Sequence, residues 1–197
     1  MTVRNTGARY GSVAMTLHWL IALGVITNIC LGLYFADLPK SDPNLFALVQ
    51  THKSIGLTIL VLSVARVLWR LVNPVPPLPA GMNPALKWAA HATHFLLYFL
   101  ILVIPFTGWL LVSASPLGLP TMYFGWFAWP DLPGFADMTR AAKHVYQHNF
   151  GAAHVFLAWS AIVLIPIHIL GALYHHFLRR DDVLKRMFPG TRVGGVA

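Results

Sequence analysis

A chain that runs from Trp88 to Pro130 without one charged side chain has few folds open to it. Tyr10 to Ala36 and His144 to Leu178 are likewise uncharged, and Pro43 to Ala65 is broken only by Lys53. An apolar run of about 20 residues is long enough to cross a bilayer as a helix. In lipid every backbone N–H and C=O must be satisfied within the segment, which leaves the helix as the natural solution. Four spanning helices are expected, at about 13–36, 46–71, 88–113 and 149–178, and the fold class is an all-α membrane bundle. Composition agrees: 10% of residues are charged and none is glutamate, against about 25% charged in soluble domains. Arg66 and Arg70, at i and i+4, can snorkel to the head groups while their helix stays inserted.

The net charge of +8 invites a nucleic-acid reading, but its distribution speaks for topology. Arg4, Arg9, Arg66, Arg70, Lys87, Arg179, Arg180, Lys185, Arg186 and Arg192 fall on one side of the expected membrane. Lys40, Lys53, Arg140 and Lys143 fall on the other, with Asp37, Asp42, Asp131 and Asp137. The basic excess puts both termini in the cytoplasm of a multi-pass inner-membrane protein. The tail 179–197 then serves as a topology signal that also touches anionic lipid, and no nucleic-acid partner is expected. The first apolar stretch lacks the marks of a cleavable signal and is expected to stay as an anchor. Cys30 is the single cysteine, so an internal disulfide is excluded, as is a Cys-x-x-Cys-His attachment of c-type haem. It reads as a packing residue. The chain is expected to form one domain over 1–197. A stiff proline-rich link (73–83) joins the second and third spans, and a long external connection runs from Ser113 to Lys143. In that connection Trp126 and Trp129 suit the membrane interface, and Asp137 to His148 suits a short surface helix.

Histidines carry the chemistry. His154 and His168 are 168 − 154 = 14 residues apart in the fourth span, nearly four whole turns, so both leave the helix on one face about 21 Å apart along its axis. Threading the spans back and forth sets His18 at the depth of His168 on the cytoplasmic side, and His52 at the depth of His154 on the external side. Each pair bridges two helices. Taken singly, any of the four can be explained by a hydrogen bond to a carbonyl or a seat facing water. Two pairs matched in depth call instead for two bis-histidine centres, and haem b is the natural group. Such a haem has no open iron position and favours electron transfer. Zinc would want about four convergent ligands, often thiolate or carboxylate, which the spans do not offer. A haem-free transporter leaves the matched depths unexplained. Gly56, Gly108, Gly151 and Gly171 offer clearance for flat rings or, equally, close helix contact. His91 and His94 suit haem propionates, and His94 is also an alternative ligand. His175, beside His176, suits a propionate, a quinone hydrogen bond or interfacial water. His144 and His148 read as external surface groups.

Several stretches resemble the bacterial cytochrome b561 family over essentially the whole chain. They are Leu17-His18-Trp19-Leu20, His52-Lys53-Ser54-Ile55-Gly56, Ala90-His91-Ala92-Thr93-His94, Gly108-Trp109, and the run from Gly171 through His175-His176 to Asp181-Asp182 and Met187. The resemblance implies a four-helix bundle with two b haems, axial ligands at His18, His52, His154 and His168, and Arg66 among the cofactor contacts. It also implies electron transfer between an external donor and membrane ubiquinone, with superoxide as one such donor. In that case Lys53, Arg140 and Lys143 are candidates for drawing in the anion, or simply solvate the loop. The alternative is a cytochrome b subunit serving a separate dehydrogenase, hydrogenase or periplasmic redox protein.

Overall fold

The computed structural model describes residues 2–79 and 81–191, and the last part of the basic tail, 192–197 with Arg192, lies outside the described residues. Among these residues four helices are long and apolar enough to cross a membrane: α1 (Ser12–Ala36), α2 (Leu45–Leu71), α3 (Pro84–Ser113) and α4 (Arg140–Tyr174). Their outer faces carry large exposed side chains such as Leu23, Phe95, Phe156 and Leu170, as helices built to contact acyl chains must. Cys30 is also exposed rather than packed inside.

Two helices begin earlier than the apolar pattern suggests, because capping rather than hydropathy sets the first turn. At α3 the Asn83 side chain accepts the Ala85 N–H at 2.8 Å, and Pro84 takes the first helical position, where a missing N–H costs nothing. At α4 the Thr139 hydroxyl accepts the Ala142 N–H at 3.2 Å. No proline or glycine interrupts Arg140 to Phe150. The short surface helix expected from Asp137 and the span expected from 149 are therefore one continuous helix. Past Tyr174 the backbone widens into a π turn, His175–Arg179, which ends where Arg180 adopts φ 55°.

The chain divides into two compact units, and every long helix contributes a segment to each. The first unit holds the described residues of Met1–Ile21, Leu62–Phe99 and Ala161–Ala197. Both chain ends are tied into it by polar side chains. Asn5 donates to the Pro74 carbonyl at 2.8 Å and accepts the Gly11 N–H at 2.8 Å. A Cβ on Gly11 would lie 2.3 Å from the Val3 carbonyl oxygen, so only glycine fits. Arg9 donates to the carbonyls of Phe188 and Thr191 at 3.2 and 2.9 Å, Trp19 to Met187 at 2.9 Å, and Arg186 to Pro77 at 2.5 Å. Arg9 and Arg186, which the charge count treats as a topology signal, thus also act as structural clasps.

The second unit, Ala22–Val61 and Leu100–Ser160, contains a feature the sequence reading did not anticipate. Inside the connection between α3 and α4, β1 (Thr121–Tyr123) and β2 (Phe127–Trp129) form an antiparallel hairpin. Its tip turns through Phe124 (φ 48°) and Gly125 (φ 77°), closed by Trp126 N–H to Tyr123 C=O at 3.0 Å. Positive φ at both central residues is the turn geometry that suits strand twist. Three side chains one turn apart on α2 hold the hairpin. Gln50 donates to Pro120 C=O and accepts the Met122 N–H, and Thr58 meets the Tyr123 hydroxyl. Ser54, fully buried, accepts the Phe124 N–H at 2.9 Å.

Ser54→Ala leaves the Phe124 N–H without its partner, at a cost of about 1–3 kcal/mol. Limited proteolysis between Leu119 and Pro130 is expected to speed up in this variant. Unchanged cleavage kinetics would show that the hairpin does not depend on the hydroxyl.

Candidate metal centres

Within the second unit α2 and α4 bring His52 and His154 opposite each other, with ring centroids 6.2 Å apart and planes crossed at 73°. Within the first unit α1 and α4 do the same for His18 and His168, at 6.3 Å and 74°. A metal–imidazole bond of about 2.0 Å, with the bonded nitrogen about 1.1 Å from its ring centroid, would set two opposed rings about 6.2 Å apart. The separation is that of two axial imidazoles on one metal atom, and too wide for the rings to stack.

Hydrogen bonds at the His52–His154 pair, the outer pair of the expected topology, favour the same use. His52 Nδ1 lies 3.2 Å from the Asn28 carbonyl, and His154 Nδ1 lies 3.0 Å from the Ile104 carbonyl. A ring that donates through Nδ1 has its tautomer fixed and keeps Nε2 unprotonated, ready to ligate. Thr107 supports this arrangement, since its hydroxyl donates to Ile104 C=O at 2.7 Å while standing 3.2 Å from His154 Nδ1. Phe35 meets the His52 ring edge-on at 5.2 Å.

Glycines provide the space behind both outer rings. A Cβ on Gly32 would lie 3.1 Å from His52 Cε1, and one on Gly108 would lie 3.2 Å from His154 Cε1. Gly108 was among the glycines suspected of making clearance, and Gly32 was not. The other candidates do something else: Gly56 faces the Asn28 side chain, Gly151 faces Leu111, and Gly171 meets nothing within 4 Å. A signal for Gly32 was present. It lies 32 − 18 = 14 residues after His18, as Gly108 lies 108 − 94 = 14 after His94 and Arg66 lies 66 − 52 = 14 after His52. Each helix repeats the interval that separates His154 from His168.

The inner pair is set among larger groups. His94 from α3 meets His168 at 5.3 Å, edge to face. That is shorter than the spacing across one metal atom, so His94 backs the His168 ring rather than opposing it. His18 packs against Trp19 at 5.1 Å. Arg66 donates to the Ala14 carbonyl at 2.9 Å, one turn before His18. His175, in the π turn, is buried and meets the Asp181 carboxylate at 2.6 Å beside a cavity of about 440 Å³. The carboxylate partner was not foreseen. His176 Nδ1 is buried without a partner, and His91 is exposed on α3. His144 and His148 are exposed along an open groove of about 720 Å³ on α4. Of the candidate anion-steering residues, Lys53 stands on α2 next to His52 and feels the charge of Asp131, while Arg140 and Lys143 occupy the first turn of α4.

The donor set says what kind of group fits. Among the described residues no three His, Cys, Asp or Glu side chains gather as a protein-built metal cage would require. Two opposed imidazoles can hold a metal only if its equatorial donors come from elsewhere, and a porphyrin supplies four. Apolar spans, crossed ring pairs and clearance behind the rings define an integral-membrane protein of the haem-binding, electron-transporting class.

The comparisons narrow this to a family. The model of the family described as prokaryotic cytochrome b561 matches residues 9–190, and the chain belongs to that family. It is 40% identical over 188 residues to cytochrome b561 homolog 2 of Escherichia coli (strain K12), covering 95% of each chain. It is 30% identical over 183 residues to a cytochrome b562 of Cereibacter sphaeroides, covering 90% of this chain and 94% of the other. It is 27% identical over 184 residues to a Yersinia pestis protein named "Probable superoxide oxidase CybB", covering 93% and 98%. The protein is thus a multi-pass, inner-membrane electron-transfer protein, and its family implies haem b.

Replacing Gly32 or Gly108 by alanine sets a helix gain of at most about 1 kcal/mol against about 1–3 kcal/mol of overpacking onto a pinned imidazole. Both variants are expected to unfold at lower temperature than the parent, and Gly171→Ala is expected to hold or gain stability. Equal midpoints for all three would remove the glycine cradle.

Proposed function

We propose that the protein is a di-haem carrier that takes electrons from superoxide outside the cytoplasm and delivers them to ubiquinone in the membrane. His18 with His168, and His52 with His154, are the axial pairs. The observation that carries this reading is the pair of crossed imidazole gaps at 6.3 and 6.2 Å. Haem b bound there supplies an iron that gains and loses one electron without changing its ligands. In the overall reaction two superoxide ions yield two oxygen molecules, while ubiquinone takes up two electrons and two protons. The Yersinia pestis relative's name supports superoxide as donor. Lys53, adjacent to His52, supplies a cation to draw in the anion, with Arg140 and Lys143 as further candidates.

For the quinone, the cavity beside His175 combines hydrogen-bonding groups, His175 and Arg179, with the apolar walls of Met82 and Leu86. A quinone ring wants that combination. The basic excess in the first unit's loops supports a cytoplasmic position for both termini, with the four spans acting as one functional domain. A second reading, service to a separate dehydrogenase, hydrogenase or periplasmic redox protein, is favoured by one observation. The hairpin exposes Trp126 at 80% and Phe124 and Phe127 at 47% each. Turnover of purified protein with superoxide and a quinone analogue, with no other protein present, separates the two readings.

A reduced-minus-oxidised spectrum with haem quantification is expected to give two low-spin b haems per chain. Replacing His18, His52, His154 or His168 singly is expected to abolish one centre at a time, and His94→Leu to leave both axially ligated. Crossed imidazole planes leave two iron d orbitals nearly equal in energy, so both ferric signals are expected to be strongly anisotropic in electron paramagnetic resonance. One haem per chain, or none, sinks the reading.

Lys53→Glu is expected to slow superoxide oxidation at low ionic strength, with the difference shrinking as salt screens the charge. A rate equal to the parent's at low salt would show that Lys53 does not steer.

A further inference from the structure

Two cations of the first unit stand on a membrane-spanning helix. Arg66 and Arg70 are four residues apart on α2, and both guanidinium groups lie over the same ring, that of Tyr98 on α3, at 5.5 and 5.1 Å from its centroid. Arg66 is further tied to the Ala14 carbonyl of α1, and the Tyr10 phenol lies within the electrostatic reach of Arg70 and Arg66. Asp181 pairs with His175 and Asp182 with Lys185, and among the described residues neither arginine is found in an ion pair with a carboxylate. Three residues before Arg66, and so on the same α2 face, Ser63 is fully buried and its hydroxyl has no partner.

Such an arrangement is expensive in a spanning helix unless something compensates it. A charged side chain at that position is, by default, part of a site. The Tyr98 ring offers each guanidinium a cation–π contact, but a quadrupole does not neutralise two charges. Tyr98 does hold both planar groups against one ring, and a guanidinium is the group that suits bidentate recognition of an oxyanion. Burial raises the pKa of the Tyr10 phenol against the pull of Arg70, so Tyr10 keeps its proton and can donate it in a hydrogen bond.

We propose that Arg66, Arg70 and Tyr10 form a shelf for the two propionate carboxylates of the haem held between His18 and His168. This rests on the reading of those histidines as axial ligands. It goes further by assigning the end of the inner site at which the haem's acidic edge is received. The shelf also has an electrical consequence. Two guanidiniums beside the carboxylates cancel negative charge that would otherwise disfavour adding an electron, and so raise the reduction potential of that centre. At the outer pair, the positions spaced fourteen residues from His18 and His94 are Gly32 and Gly108, which carry no charge. The shelf therefore makes the inner centre a better electron acceptor than it would be without the two arginines.

The test is a redox titration of purified parent protein and Arg70→Gln. Each is measured in nanodiscs of phosphatidylcholine alone and in nanodiscs with added phosphatidylglycerol. The variant is expected to keep two low-spin haems, with one centre shifted to lower potential and the other unmoved, equally in both lipids. At a fixed potential the reduced-to-oxidised ratio of the shifted centre falls about tenfold, the order that one unit charge produces across a protein interior. Arg70→Lys, which keeps the charge but loses the planar fork, recovers part of the shift. Tyr10→Phe, which removes only a hydroxyl, shifts the same centre in the same direction by less, and it carries the test if Arg70→Gln does not fold. Unmoved potentials in both variants overturn the shelf. A shift seen only with phosphatidylglycerol overturns it too, because the anion would then be a lipid phosphate. A parent protein without two low-spin haems strikes at the ligand assignment itself, whereas two haems with unmoved potentials strike at the shelf alone.

Discussion

Two neutral imidazoles facing each other inside an apolar span are the constraint from which the rest of this molecule follows. In a bilayer a ring nitrogen without a partner is costly, so each ring needs an answer on both sides. At the outer pair one side is answered by the main chain, through the carbonyls of Asn28 and Ile104. Those carbonyls belong to helices that already use them in their own ladders, so they serve as second acceptor positions and leave the helix intact. The other nitrogen is left unprotonated for a metal atom, and the 6.2 Å separation of the ring centroids suits one. The neighbouring glycines, the crossed ring planes and the placing of the histidines on separate helices all maintain that gap.

What stands around each pair differs, and the difference is chemical. The outer rings lean on Gly32 and Gly108, so the backbone comes close, with Phe35 edge-on to His52. The inner pair is packed by His94 and Trp19, and Arg66 reaches the helix turn before His18. One repeating interval along four helices thus supports two unlike environments. Unlike environments are what a protein that moves electrons in a preferred direction needs.

The spans and the paired histidines were legible in the sequence because lipid imposes coarse, long-range rules: absence of charge, length, and a face that recurs every four turns. Helix starts at Pro84 and Arg140 were read several residues late, since Asn83 and Thr139 act by single hydrogen bonds that carry no hydropathy signal. The hairpin was missed because its strands are only three residues long, so alternation has no room to show, and Trp126 and Trp129 look like interface residues in any connection. Gly32 was missed for another reason. A glycine's role depends on which ring lies against it, and only the fourteen-residue interval from His18 hinted at that. Asp181 as the partner of His175 depends on the widened turn and on the left-handed Arg180 that redirects the chain, neither of which a helical periodicity foretells.

Gln50 and Ser54 grip the hairpin mainly by its main chain, and Thr58 adds the Tyr123 hydroxyl. A mount of that kind is largely indifferent to what Phe124, Trp126 and Phe127 are. The tip can be rewritten while its seat above the His52 turn stays put. The same scaffold could then be fitted to different electron sources by exchanging a few outward side chains, much as a socket accepts different plugs, without retuning the machinery beneath.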